Sequence, residues 1–308
     1  MRVAVVDIGT NSTRLLVADV DPQNGSIVEL ERRSQVTRLG QGVDAGGSLS
    51  QEAVERVFRA LADYRQLIDQ HDCEANLAVL TSAVRDAANG QAFATRVREE
   101  MGLDAKVLTG DEEAQLTFLG AMAGRPPAAK PTVVIDIGGG STEFVVGLDR
   151  SAGFHVSTPA GVVRMSERHI HTDPPTTEEL QALAEDTRRV FDEHLPEEER
   201  ERVRAGVAVA GTATSAAAIE QELEPYDPSR VHGYVLQLAT VELLLARLAD
   251  MTEEERRAVA GLHPDRAPTI VAGMILLSEA MIAMDLEQVE VSEHDILYGG
   301  ALRLAGVG

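Results

Sequence analysis

The feature of this 308-residue sequence that most constrains its fold is an internal repeat. The stretch AVVDIGTNSTRLLVA (Ala4–Ala18) recurs as VVIDIGGGSTEFVVG (Val133–Gly147). Each copy has the pattern of an apolar strand, a glycine turn that follows an aspartate, and a second apolar strand. The spacing of the copies is too long for a solenoid, so the repeat predicts a duplicated domain. Two such lobes facing each other would place the turns on opposite walls of one cleft.

The polar positions of the two copies correspond, with one exception. Arg14 of the first copy is replaced by Glu143 in the second. The matched positions are Asp7 with Asp136, Gly9 with Gly138, Ser12 with Ser141, and Thr13 with Thr142.

The length of the chain suits two domains of about 150 residues each. The stretch GRPPAAKP (Gly124–Pro131) contains three prolines that interrupt any regular pattern, and it predicts the domain boundary. We therefore expect a first lobe at 1–124 and a second at 125–308. The last predicted helix, Glu293–Ala305, belongs to the second lobe in sequence but can pack back on the first.

Strand and helix patterns alternate along both halves, which predicts the α/β class. Predicted strands lie at Val3–Val6, Arg14–Val20, Ser26–Val36, Leu77–Leu80, Ala105–Leu108 and Val207–Ala210, besides the second hairpin at Thr132–Leu148. Predicted helices lie at Gln51–Ile68, Gln91–Met101, Glu112–Ala123, Thr177–His194, Leu238–Leu248, Thr252–Val259 and Thr269–Met284.

The charge of the chain limits its partners. A net charge of −22 argues against broad electrostatic binding of nucleic acid or anionic lipid, so an anionic ligand would need a local site. The first residues lack a signal-peptide pattern, and the longest apolar run is too short to span a bilayer. With Cys73 as its single cysteine, the chain is expected to be cytoplasmic and to act without a membrane.

The two turns have the composition of phosphate-binding loops. Glycines at 138–140 let the backbone N–H groups approach an anion closely, and the neighbouring serine and threonine hydroxyls add donors. Asp7 and Asp136, at the ends of their strands, are placed to hold a divalent cation directly or through water. A single turn of this kind is as easily a plain hairpin, but two copies favour a binding role. Neither a P-loop nor a dinucleotide fingerprint is present.

The exchange of Arg14 for Glu143 indicates different tasks for the two turns. A guanidinium can bind a phosphate through two parallel hydrogen bonds, whereas a carboxylate repels phosphate and serves as a metal ligand or proton acceptor. One lobe would therefore hold the anion and the other the metal.

Two further stretches carry charged residues beside small-residue turns. Arg85 follows the strand that ends at Thr81, where it could bind phosphate or pair with Asp86 at the surface. Glu112 and Glu113 begin a helix after Gly110, where acidic residues are also favoured by the helix dipole alone.

The motifs taken together resemble the exopolyphosphatase and guanosine pentaphosphate phosphatase family. The motifs that carry the resemblance occur in the family's order along nearly the whole chain: DIGTNSTR, RLGQGV, TSAVRDAANG, TGDEEA, DIGGGSTE, GVVRMSE, GTAT and SEHDIL. The resemblance implies two duplicated ribonuclease-H-like lobes of the actin, hexokinase and chaperone ATPase superfamily, with a cleft between the lobes.

The resemblance also implies roles for individual residues. Glu113 would be the base for the attacking water, and Asp136 and Glu143 would belong to a Mg²⁺ site, to which we add Asp7 because of its position at a strand end. The residues implied to bind the phosphate chain are Asn11, Ser12, Thr13, Arg14, Arg85, Gly138, Gly139, Gly140, Ser141 and Thr142.

The sequence departs from the family pattern in two places. Many members have Arg-Glu-Gly where this chain has Leu297–Gly300, so a substrate contact made there in other members is in doubt. The chain also ends at Gly308, before the all-helical region of longer members. We therefore expect a preference for short polyphosphates.

The expected function is Mg²⁺-dependent hydrolysis of the terminal phosphoanhydride bond of inorganic polyphosphate by a homodimer. Hydrolysis of guanosine pentaphosphate uses the same bond chemistry and stays open as an alternative. A binding module without hydrolytic activity, or a kinase of the same superfamily, are further alternatives. The binding module would not need a base at Glu113.

Overall fold

The computed structural model describes residues 1–125, 130–148 and 151–307. The chain divides into two compact units, Met1–Pro126 together with His294–Gly308, and Pro127–Glu293. The proline-rich boundary predicted at Gly124–Pro131 falls in part on residues 126–129, outside the described residues. Within the part of the chain that the structure describes, no helix combines the length and apolar character needed to cross a membrane.

The first unit is built on a mixed sheet. Its strands among the described residues are β1 (Arg2–Ile8), β2 (Ser12–Val20), β3 (Ile27–Val36), β4 (Ala75–Leu80) and β5 (Ala105–Val107). They lie in the order β3-β2-β1-β4-β5, with β1 antiparallel to β2 and parallel to β4. The connecting helices are α1 (Val43–Gly46), α2 (Gln51–Gln70), α3 (Ser82–Asp86), α4 (Gly90–Met101) and α5 (Gly110–Ala121).

The second unit contains a similar sheet with one additional strand among its described residues. Its strands are β6 (Thr132–Ile137), β7 (Thr142–Leu148), β8 (Ser151–Thr158), β9 (Ala205–Val209), β10 (Val235–Gln237) and β11 (Gln288–Val291), in the order β10-β11-β9-β6-β7-β8. Its helices are α6 (Val162–His169), α7 (Thr177–His194), α8 (Glu197–Arg202), α9 (Ala210–Glu220), α10 (Pro228–Val231), α11 (Leu238–Ala249), α12 (Glu253–Arg257) and α13 (Ile270–Ala283).

The two sheets share one topology, as the sequence repeat predicts. In each, a hairpin is extended by an antiparallel strand on one side and by two parallel strands on the other. The register also corresponds, because Asp7 lies opposite Arg14 in one hairpin and Asp136 lies opposite Glu143 in the other. These are two duplicated ribonuclease-H-like units of the α/β class.

The central strand β1 is buried on both faces, which explains its continuous apolar sequence. Ala4, Val6 and Ile8 pack in a core with α2 and α4. Val3 and Val5 point to the opposite face, where they pack with α14 (Ile296–Leu304). Side chains alternate along a strand, so Asp7 lies on the α14 face as well.

The last helix, α14, belongs to the first unit although the sequence places it after the second. It crosses α5 at very close range. A Cβ added to Gly299 would lie 1.8 Å from the carbonyl oxygen of Leu116, and one added to Gly120 would lie 1.8 Å from that of Asp295. Only glycines allow this backbone approach, so the departure at Leu297–Gly300 is a packing feature that seats α14 on α5.

Candidate active site

The turn between β1 and β2 leaves backbone donors available. Its carbonyl oxygens accept hydrogen bonds from other parts of the first unit. The Thr10 carbonyl accepts from the N–H of Gly40, and the Asn11 carbonyl accepts from the N–H groups of Thr37 and Arg38. The Gly9 N–H donates to the Ser12 carbonyl at 3.0 Å and closes the turn. Among the described residues, the N–H groups of Thr10 and Asn11 have no acceptor. The turn can therefore donate hydrogen bonds to an anion.

The turn between β6 and β7 repeats this arrangement. The Gly138 N–H donates to the Ser141 carbonyl at 2.9 Å. The carbonyl oxygens of Gly138 and Gly139 accept from the first N–H groups of α6, and that of Gly140 accepts from Arg164 Nε at 2.8 Å. In the described part of the chain, the N–H groups at 139–141 have no acceptor. The glycine loop is thus fixed through its carbonyls, with its donors left for a ligand.

The two threonines of the turns form hydrogen bonds within the protein. Thr13 and Thr142 are fully buried. The Thr13 hydroxyl lies 3.0 Å from that of Thr37, and the Thr142 hydroxyl donates to the carbonyl of Ala160. Because both hydroxyls bind within the protein, these residues stabilise the turns. Ser12 is only half-buried, and Ser141 is buried.

Arg14 forms a charged cluster with two carboxylates. Its Nε and Nη2 donate to Asp7 Oδ2 at 2.9 and 2.7 Å, and its Nη1 donates to Asp295 Oδ2. Both aspartates are buried. Asp7 Oδ1 is buried and has no hydrogen-bond partner among the described residues. A buried carboxylate oxygen without a donor suits a cation.

The pKa values of the two aspartates shift in opposite directions. Burial raises the pKa of Asp7, and the neighbouring Arg14 only partly offsets this effect. Burial also acts to raise the pKa of Asp295, but the charges of Arg14 and Arg32 and the hydrogen bond from the Leu297 N–H outweigh it, and the pKa is lowered. Asp295 is therefore the more firmly ionised of the two.

Glu113 and Arg85 are brought together although they lie on different helices. Arg85 Nη1 donates to Glu113 Oε2 at 2.8 Å and to the carbonyl of Leu108 at 3.2 Å. Asp86, the alternative partner of Arg85, is 3.9 Å away. The ion pair joins the two residues predicted as base and as phosphate ligand.

The neighbouring acidic residue has a purely local role. Thr109 caps α5, and Glu112 completes a capping box by accepting from the Thr109 N–H at 2.9 Å. The helix-terminus explanation considered from the sequence therefore accounts for Glu112. It does not account for Glu113, which is buried and points to Arg85.

Asp136 and Glu143 form an adjacent pair of buried carboxylates. They are direct cross-strand partners, so their side chains lie on the same face of the sheet. Glu143 Oε1 accepts from the Ser157 hydroxyl at 2.8 Å. Among the described residues there is no cluster of three or more metal-ligating side chains. Two carboxylates fit Mg²⁺, which commonly retains waters and takes further oxygens from phosphate.

Three residues at these positions were not identified as site residues from the sequence, whereas a fourth, Arg164, lies beside a small-residue turn where phosphate contact and surface pairing were both left open. Asp295 contacts Arg14 across 281 positions, and Ser157 contacts Glu143 across 14. Thr37 and Arg164 fix the two turns. The quoted motifs SEHDIL and GVVRMSE contain Asp295 and Arg164, but their spacing does not indicate which side chains they meet.

The comparisons with known proteins agree with the geometry of the two units. The model of the Ppx/GppA phosphatase family matches residues 16–303. Exopolyphosphatase 2 of Mycobacterium tuberculosis is 39% identical over 316 residues, which cover 99% of both chains. The chain belongs to the Ppx/GppA phosphatase family. As a member it is an enzyme that hydrolyses phosphoanhydride bonds.

Solved structures of similar proteins share the fold over the full chain. One described as an exopolyphosphatase-like protein has a TM-score of 0.91 at 31% identity, with 99% of both chains covered. An exopolyphosphatase from Cytophaga hutchinsonii has a TM-score of 0.87 at 28% identity and covers 100% of this chain and 99% of its own.

Proposed function

We propose that this enzyme is an exopolyphosphatase that removes the terminal phosphate of inorganic polyphosphate with Mg²⁺ and prefers short chains. The observation that carries the proposal is the buried Glu113 carboxylate paired with Arg85 at 2.8 Å. A carboxylate base beside a guanidinium suits hydrolysis of an anionic substrate, because one group accepts the proton of water and the other binds phosphate.

In the proposed reaction the oxygen of a water molecule attacks the terminal phosphorus as Glu113 accepts one proton of that water. The bond from this phosphorus to the bridging oxygen breaks in line with the attack. Orthophosphate leaves, and the bridging oxygen stays on the shortened chain. Arg14 and Arg85 bind phosphate oxygens, and backbone N–H donors of a glycine turn bind the terminal phosphate group.

Asp136 and Glu143 would hold Mg²⁺, and Asp7 in the first unit offers a further carboxylate oxygen for a cation. When bound, the metal ion supplies positive charge that neutralises the phosphoryl oxygens. The buried carboxylates alone would repel a polyanion, so the proposal requires a cation at this position. The short-chain preference follows from the net charge of −22, which disfavours extended contact of a long polyanion with the protein surface.

The test is phosphate release by the purified protein from tripolyphosphate, long-chain polyphosphate, guanosine pentaphosphate and ATP, with Mg²⁺ and with chelator. We expect Mg²⁺-dependent release that is fastest from tripolyphosphate and is lost in Glu113→Gln. Glu112→Gln is the matched control, because glutamine still completes a capping box and Glu112 has no role in the reaction.

Each alternative gives a distinct result. Faster release from guanosine pentaphosphate would replace the substrate but keep the mechanism, since that molecule also ends in a linear phosphate chain. Binding without turnover in the wild type would favour the binding module. Equal loss of activity in both glutamate variants would show that Glu113 has no special role as base.

A further inference from the structure

The contacts of Arg14 go beyond what a phosphate ligand needs. This residue lies opposite Asp7 in the first hairpin and is bound on its other side by Asp295. Asp295 reaches it from the segment that follows the second unit in sequence and belongs to the first unit in space. Two buried carboxylates thus share one guanidinium.

The two oxygens of Asp295 have separate tasks. Oδ1 accepts from the N–H of Leu297 at 3.0 Å and caps α14, whereas Oδ2 accepts from Arg14 Nη1. The side chain is almost fully buried, at 1% exposure. The cap fixes the position of the carboxylate, so its second oxygen is held against the guanidinium at no further cost in side-chain freedom.

The two carboxylates hold Arg14 in different ways. Asp7 is its cross-strand partner and receives two of its N–H groups through one oxygen. Asp295 receives a single N–H from Nη1. A phosphate oxygen, like a carboxylate oxygen, is a negatively charged acceptor of hydrogen bonds from a guanidinium, so it can bind to Arg14 by replacing the contact with Asp295.

We propose that Asp295 is an intramolecular competitor of the phosphate chain for Arg14. It positions the guanidinium when no phosphate is bound, and its negative charge lowers the affinity of Arg14 for phosphate. The inference rests on the proposed function in one respect, which is that Arg14 binds phosphate. It adds an affinity-determining residue at a position where the sequence alone predicts none.

The variant Asp295→Asn separates competition from structure. Asparagine retains an oxygen that can cap α14, but it carries no charge and cannot keep both contacts. Binding of inorganic tripolyphosphate is measured by titration calorimetry in Mg²⁺-free buffer, with Glu113→Gln in every variant to prevent turnover. We expect Asp295→Asn to bind tripolyphosphate about tenfold more tightly, the effect of removing one close competitor.

A second substitution shows whether the gain passes through Arg14. In an Arg14→Gln background, Asp295→Asn is expected to change the affinity less than about twofold, because there is no guanidinium to compete for. Asp227→Asn is the control for the cap: Asp227 accepts from the Ser229 N–H at 3.0 Å and caps α10 in the other unit. It should leave tripolyphosphate binding unchanged.

Three results would overturn the proposal. Unchanged or weaker binding by a folded Asp295→Asn variant would mean that Asp295 assists phosphate binding or has a structural role only. An equal gain in tripolyphosphate affinity in the Arg14→Gln background would mean that Asp295 acts through its charge alone and not through Arg14. If no variant binds tripolyphosphate, there is no phosphate binding with which Asp295 could compete. Tighter binding by Asp295→Asn in a protein that hydrolyses none of the substrates would support this inference while the proposed function fails.

Discussion

At the scale of single residues, the two hairpins differ at the position opposite the aspartate that both of them contain. Arg14 pairs with Asp7 there, and Glu143 adds a second carboxylate to Asp136. The same register therefore produces a cation next to a carboxylate in one unit and two adjacent carboxylates in the other. One unit has the charge to bind an anion and the other the charge to bind a divalent cation.

The metal role of the carboxylate pair gives a prediction. Glu143→Gln is expected to raise the Mg²⁺ concentration needed for half-maximal phosphate release about tenfold or more, because an amide is a weaker ligand than a carboxylate. The measurement is a Mg²⁺ titration of activity at saturating substrate.

The matched control is Ser157→Ala, which removes the hydroxyl that donates to Glu143 at 2.8 Å. It keeps the carboxylate and should shift the Mg²⁺ requirement by a smaller factor. If Glu143→Gln lowers the rate but leaves the Mg²⁺ requirement unchanged, Glu143 is not a metal ligand.

The residues of the site could be predicted to different degrees. Short sequence motifs contain Glu113, Arg85 and the glycine turns. The structure places Glu113 and Arg85 in contact. Asp295 could not be assigned, because its partner lies 281 positions away and no local pattern encodes that pairing. A sequence also does not show that Thr13 and Thr142 face the interior.

At the scale of elements, α14 begins directly after Asp295 and packs against α5, the helix that carries Glu113. The crossing of α14 and α5 depends on Gly120 and Gly299, each of which faces a carbonyl oxygen at a distance that no Cβ could occupy. Gly299→Ala is expected to lower the free energy of unfolding by about 3 kcal/mol or more, since the clash is with backbone and cannot be relieved by a side chain.

The measurement is urea unfolding of the variant and the wild type. Gly46→Ala is the control, because a Cβ at this helical position would meet nothing within 4 Å. It should change the free energy of unfolding by less than about 0.5 kcal/mol. Equal stability of Gly299→Ala and wild type would mean that α14 can shift away from α5.

The elements that follow a strong pattern could be predicted. Helix α7 was predicted at Thr177–His194 and is observed with those bounds, since a capping box marks its start. Strand β8 (Ser151–Thr158) was not predicted, because its glycine and small polar residues interrupt the alternation of apolar and polar side chains that marks a strand. The site of α14 in the first unit depends on long-range packing, which periodicity does not report.

At the scale of the whole molecule, the chain has many more acidic than basic residues. Its stability at low pH therefore depends on the carboxylates that are held ionised by ion pairs. In the second unit, Asp186 accepts from Arg168 Nη1 at 3.0 Å, is 2.9 Å from His169 Nε2, and also accepts from Arg189. Burial acts to raise the pKa of Asp186, but these partners outweigh it and hold the pKa at about 2, below the ordinary value of 3.8.

The sign of the pH effect follows from this lowered value. Between about pH 2 and 3.8 the unfolded chain binds the proton more readily than the folded protein does, so the contribution of Asp186 is complete above that range. It is lost as the pH falls toward about 2. We expect Asp186→Asn to cost about 1 kcal/mol of unfolding free energy at pH 7, a value reduced by solvent screening near the surface.

The measurement is urea unfolding of wild type and Asp186→Asn at pH 7 and at pH 3, where the difference between them should shrink. Asp192→Asn is the control on the same helix, because Asp192 pairs with Arg200 at 2.9 Å and is exposed. Its effect should stay below about 0.5 kcal/mol at both pH values. A difference for Asp186→Asn that is independent of pH would mean that packing, and not the charge of this carboxylate, links α6 to α7.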